Sequence, residues 1–124
     1  MRVARIVLIC AFGLLAASAA NAESKKPHAF LVAEVGVKDA DAYKTYASRV
    51  QSTLDPYGGK FVAKGGQTET LEGASPAGGV VIIEFPSMQD ARQFWDSPAY
   101  REILPIRLKS ATSRIYLTEG LPSK

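Results

Sequence analysis

The chain has 124 residues, with 15 basic and 12 acidic side chains, a net charge of +3, one histidine and one cysteine. That length suits a single domain. One cysteine excludes a disulfide framework, and no block of like charge makes an electrostatic case for nucleic acid as a partner.

The first stretch reads as a leader, not as part of the domain. Arg2 and Arg5 give a basic start, Ile6 to Ala17 is an apolar run interrupted only by Gly13, and Ala20-Asn21-Ala22 places small residues where a signal peptidase cuts. The apolar run is shorter than the roughly 20 residues needed to span a bilayer. The pattern therefore predicts a signal peptide at 1–22 and a periplasmic or secreted protein with no stable membrane anchor after processing. Cys10 leaves with the leader, so no thiol nucleophile or thiolate metal site is expected. The 15 basic residues become 13 against 12 acidic ones, for a net charge of +1.

Residues 23–28 form a flexible lead-in to a domain expected over 29–120. Ala29 to Val37 is short and rich in branched and aromatic residues, which predicts strand one. Asp39 or Asp41 opens a helix whose apolar face is Tyr43, Tyr46, Ala47, Val50 and Leu54. Asp55-Pro56 ends it, and Tyr57-Gly58-Gly59 is a turn. Strand two begins at Lys60 to Ala63, is interrupted by Gly65-Gly66 as at a bulge, and resumes over Gln67 to Glu72. Gly73 to Gly78 is loop by composition.

Gly79 to Phe85 is the most apolar stretch of the domain and predicts strand three, stopped by Pro86. Ser87 caps a helix with Asp90 three residues on, and Ala91, Phe94 and Trp95 form its buried face. Ser97-Pro98 restarts the chain as a second capped helix bearing Tyr100, Ile103 and Leu104. Pro105 is expected to kink or break it before Arg107. Ser113 to Glu119 is the last strand, and 121–124 a tail.

The order predicts an α+β, ferredoxin-like βαββαβ fold: a four-stranded sheet of antiparallel type, both helical segments on one face, and strands one and three side by side and parallel in the centre. Strand one alternates Leu31, Ala33, Val35 with Phe30, Val32, Glu34. Strand three alternates Val81, Ile83, Phe85 with Val80, Ile82, Glu84. Both faces are thus apolar, whereas a one-sided sheet shows polar residues on its wet side. This pattern predicts a homodimer packed sheet to sheet.

Tyr57-Gly58-Gly59, Lys64-Gly65-Gly66, Leu71-Glu72-Gly73, Ile83-Glu84-Phe85-Pro86-Ser87, Ser97-Pro98-x-Tyr100, Arg107 and Glu119-Gly120 follow one another in this order along the chain. Together they resemble the domain of unknown function thirteen-thirty family, in the dimeric α/β-barrel superfamily. The resemblance implies a ferredoxin-like protomer and a dimer, and no particular activity. The leader is a departure from it.

Glu34 and Glu84, on one sheet face and expected near the same strand ends, are candidate catalytic carboxylates that would shift each other's pKa; ordinary ion pairing is the alternative. Tyr43, Lys64, Trp95, Tyr100 and Arg107 are candidate ligand-binding residues. The aromatic groups would wall a pocket between helices and sheet, with Lys64 and Arg107 for an anionic group or for Glu84 or Asp96. Tyr46 shares the helix face with Tyr43. His28 cannot build a metal site alone and is badly placed for a Ser-His-Asp set, so no metal and no cofactor is expected. The leading functional expectation is an exported protein that binds or transforms a small organic molecule. The alternative is a non-catalytic exported structural or interaction module.

Overall fold

A computed structural model describes residues 26–124; the expected leader at 1–22 and the first lead-in residues, 23–25, lie outside the described residues. The elements are β1 (Ala29–Val37), α1 (Ala40–Leu54), a 3-10 turn (Asp55–Tyr57), β2 (Lys60–Lys64), β3 (Gly79–Phe85), α2 (Met88–Asp96), α3 (Pro98–Ser110) and β4 (Ala111–Glu119). The sheet order is β2-β3-β1-β4, the ferredoxin-like order expected from the sequence.

Local chemistry sets the helix starts. The Asp39 carboxylate accepts from the Ala42 N–H at 3.1 Å. The Ser87 hydroxyl accepts from the Asp90 N–H at 3.1 Å and donates to the Asp90 carboxylate at 2.8 Å. The Ser97 hydroxyl accepts from the Tyr100 N–H, with Pro98 in the first turn of α3. Each such cap stabilises its helix by about 1 kcal/mol.

Helices and sheet meet in one core. Leu31, Ala33, Val35, Ile83 and Phe85 point to the helices, which return Val50, Leu54, Ala91, Phe94, Tyr100 and Ile103. Fully burying a side chain such as Phe85 contributes about 1.5–3 kcal/mol. Phe94 is the hub, with its ring centroid 5.4 Å from Phe85 and 4.5 Å from Tyr100.

Four expectations are corrected. First, β1 and β3 are antiparallel, with Phe30 opposite Glu84 and Glu34 opposite Val80. The β1–α1–β2 crossover makes β2 parallel to β1, and β3 reverses β2, so β3 must oppose β1. Second, Gln67 to Glu72 is not a strand. The β2 ladder has reached Lys64 opposite Val81, and the Gly65 N–H bonds to the Val80 carbonyl, so β3 has almost no residues left to pair. Gly65 turns the chain out with a φ of 67°, a conformation open to glycine at little cost. Third, the register shift lies between Phe61 and Ala63, at the exposed Val62, and not at the glycine pair. Fourth, α3 runs unbroken through Pro105. The proline ring is solvent-exposed, while Tyr100, Ile103, Arg107 and Ser110 stay buried on the other side and hold the helix on the core.

Candidate functional site

The space between α1, α3 and the sheet is not filled. A cavity of about 280 Å³ opens there, near the small end of the roughly 300–1,000 Å³ usual for small-molecule sites. Its floor is the inner sheet face, Leu31, Ala33, Val35, Val81 and Ile83, and its roof is Tyr43, Tyr46, Ala47 and Val50 of α1 with Tyr100 and Arg107 of α3. The exposed Val37, Lys64, Gly65 and Gly79 also line it, and they cluster at the end of the sheet where β1 stops and β3 begins. They mark the mouth. The β2–β3 connection returns there under a tight constraint: a Cβ on Gly78 would sit 2.1 Å from the Val35 carbonyl oxygen.

Four of the candidate ligand residues, Tyr43, Lys64, Tyr100 and Arg107, line this one space. Lys64 opposes Val81 and so faces the helix side; its ammonium lies 4.4 Å from the centre of the Phe61 ring. Trp95 does not line the cavity. It stands behind it, 5.4 Å from the Tyr100 ring, with the Arg101 and Arg107 guanidiniums at 5.6 and 6.0 Å from its own.

Arg107 has an unusual environment. It is 4% exposed, its Nε has no hydrogen-bond partner, and among the described residues no carboxylate pairs with it. Asp96, one of the two carboxylates considered for it, pairs with Arg101 at 3.1 Å. The other, Glu84, lies on the opposite face of the sheet. A buried donor left unpaired costs about 1–3 kcal/mol.

The tyrosines are donors. The Tyr46 and Tyr100 hydroxyls are 3.1 Å apart, so one donates to the other and the second proton is free for another acceptor. Burial, and after it the neighbouring Tyr100, pushes the Tyr46 phenol well above its ordinary pKa, although the Arg107 charge acts the other way. Burial likewise raises Tyr43, against Arg107. Both stay neutral. The described lining residues include no carboxylate, imidazole or thiol, so the cavity offers cations and hydroxyl donors to whatever enters.

Glu34 and Glu84 are not brought together. They share the open sheet face, but their register places them four residues apart along the strands, about 13 Å at the rise of a β-strand. The antiparallel pairing sends their ends in opposite directions, and a coupled carboxylate pair is thereby ruled out. Glu34 takes a two-pronged ion pair from Arg114, directly opposite on β4, at 2.5 and 2.9 Å. The Arg114 hydrogen bond holds the Glu34 carboxyl below its usual range despite the opposing effect of desolvation. Glu84 meets the His28 ring Nδ1 at 2.5 Å, and the Gly120 N–H donates to the His28 carbonyl at 2.7 Å. Neither carboxylate lines the cavity.

Reading the sequence missed Phe61 and Ile115 as walls and Gly65 and Gly79 as rim. Alternation along β2 and β4 points Phe61 and Ile115 inward. The glycines reveal themselves only once β2 is seen to end, and β3 to begin, at the mouth.

Among proteins of curated function, none matches the chain. Solved structures do. RPA0582 of Rhodopseudomonas palustris, a protein of unknown function, is similar in its methylated form with a TM-score of 0.64 at 23% identity, over 81% of this chain and 85% of that one. The cofactor-independent oxygenase SnoaB from Streptomyces nogalater gives 0.54 at 15% identity, over 78% and 96%. A dimeric ferredoxin-like protein of unknown function from Thermobifida fusca gives 0.52 at 17%, over 80% and 96%. At these identities the likeness is one of fold. The family model for the domain of unknown function DUF1330 matches residues 28–121, nearly the whole described chain, and the protein belongs to that family.

Proposed function

We propose that the protein is an exported homodimer that binds a small organic molecule in the cavity between helices and sheet. The observation that carries this reading is the cavity itself: apolar on most sides, yet lined by a buried arginine and by two tyrosines whose hydroxyls meet. Such a combination of apolar walls and few convergent polar groups is the usual make-up of a ligand site. The described lining offers acid–base chemistry only the Lys64 amine and the tyrosine hydroxyls, and the function proposed is binding. The oxygenase activity of SnoaB stays with that protein.

Ala47 lies on the cavity roof. Ala47→Phe fills the space, so compounds that raise the melting temperature of the wild type are expected to have no effect on this variant. Equal stabilisation of both proteins would overturn the reading.

The dimer rests on the open sheet face. Phe30, Val32, Val80 and Ile82 lie there beside Tyr116, which is 47% exposed. The occupant we propose for it is the same face of a second copy, the state named for the Thermobifida fusca protein of this fold. Sedimentation equilibrium at micromolar concentration tests it, and a monomer refutes it. Export rests on the basic start, apolar run and A-x-A pattern of 1–22. The mass of the protein recovered from the periplasmic fraction or the medium is expected to begin at Glu23.

A further inference from the structure

Resting on the cavity-binding reading, we propose that the ligand is a small carboxylic acid with an apolar or aromatic body, and that Arg107 receives its carboxylate. The argument begins with charge. A guanidinium does not shed its proton on burial as an amine does, so Arg107 carries its charge inside the protein. The carboxylates that form ion pairs are committed elsewhere: Glu34 to Arg114, Glu84 to His28, Asp96 to Arg101 and Glu102 to Arg49. The cavity that Arg107 lines is where a counter-charge has room to sit.

The neighbouring groups fit the same anion. The Tyr46–Tyr100 pair has one hydroxyl proton left to donate, and Tyr43 is kept neutral by its burial. Lys64 adds a second cation at the mouth. A carboxylate offers acceptors only, and the planar fork of arginine matches its two oxygens. A primary amide of the same shape would turn an NH2 group toward a wall of donors, and a site built on hydrogen bonds rejects a ligand that leaves its groups unpaired. The rest of the surface, Leu31, Ala33, Phe61, Val81, Ile83 and Ile115, gives the body of the ligand nothing but apolar contact. The size of the space suits a one-ring compound.

The test compares matched acids and amides: phenylacetate with phenylacetamide, and benzoate with benzamide. Each is titrated into the purified protein by calorimetry and by the fluorescence of Trp95, the only tryptophan, whose ring lies 6.0 Å from the Arg107 guanidinium. At least one acid is expected to bind roughly tenfold or more tightly than its amide, the advantage of a charged hydrogen bond over a neutral one. Arg107→Gln should erase that preference and Arg107→Lys restore part of it. Equal binding of acid and amide by the wild type would overturn the carboxylate assignment and leave the cavity reading standing. Failure of every acid and amide to bind would overturn both. The wild-type comparison decides by itself if R107Q does not fold.

Discussion

Replacing Arg107 by methionine is expected to stabilise the ligand-free protein. Methionine keeps an unbranched, flexible apolar stem, shorter than that of arginine, and removes the charge and the unpartnered Nε. Leaving that donor unpaired costs about 1–3 kcal/mol, and the charge itself is buried without a carboxylate among the described residues. Against this stands the attraction between the guanidinium and the Trp95 ring at 6.0 Å, worth about 0.5–2 kcal/mol. Weighing these, R107M should gain about 1 kcal/mol, which in a domain of this size raises the melting temperature by about 4–8 °C. Urea denaturation and calorimetry of the ligand-free protein measure it directly. A loss of about 2 kcal/mol or more would refute the reasoning, because it would mean that Arg107 holds the fold together. A gain in stability together with loss of acid binding would mark Arg107 as a residue kept for its ligand at the expense of stability.

Tyr46→Phe should cost about 1–3 kcal/mol at neutral pH, since it leaves the buried Tyr100 hydroxyl without its partner. Because the folded-state pKa of Tyr46 is raised, its contribution is fully present below about pH 10 and is lost as pH climbs through the folded value; the fall in wild-type stability above pH 10 should be shallower in the variant, as urea titrations between pH 8 and 11 will record. Glu34 has the opposite sign. Its pKa is depressed by Arg114, so its ion pair contributes above about pH 4.3 and is lost as pH falls below that value, and Glu34→Gln should flatten the stability curve between pH 6 and 2.5. Ile82→Arg places a charge in the middle of the open sheet face and should yield a folded monomer by sedimentation with unchanged far-UV dichroism; a dimer would locate the interface elsewhere. Gly78→Val drives side-chain atoms into the Val35 carbonyl and should lower the melting temperature by several degrees.

Much of the fold was legible because its signals are local. Asp39, Ser87 and Ser97 mark helix starts by side-chain oxygens that satisfy free N–H groups, and each was readable from a few residues. The failures were all failures of partnership. Gln67 to Glu72 has strand-like composition, yet a strand exists only against a neighbour, and β3 had run out. Pro105 looked like a breaker because the cost of a proline is local, while the burial that offsets it comes from Tyr100, Ile103 and Arg107 meeting the core. The direction of β3 relative to β1 depends on two connections together. A parallel β3 would bring Glu34 and Glu84 to the same end of the sheet as a coupled pair; the antiparallel one keeps them four residues apart. Tyr43, Lys64, Tyr100 and Arg107 line one space, and the helix periodicity that turns Tyr43 and Tyr100 inward is legible in the sequence. Trp95, expected beside them, stands behind Tyr100, and Glu84 lies on the other face of the sheet.

The two faces of the sheet differ in a way that no stretch of sequence displays. On the open face the two carboxylates on β1 and β3 each have a hydrogen-bonding partner, Arg114 and His28. On the helix face the order is reversed: Arg107 is buried with no carboxylate, Lys64 stands at the mouth, and the tyrosines nearby are held neutral. An imbalance of this kind is a statement about which partners are missing, and only the assembled structure can make it. It also separates the two proposed interfaces by chemistry. The open face, whose two strand carboxylates are already engaged, fits the second copy proposed above, whereas the helix face fits the proposed occupant that brings a negative charge of its own.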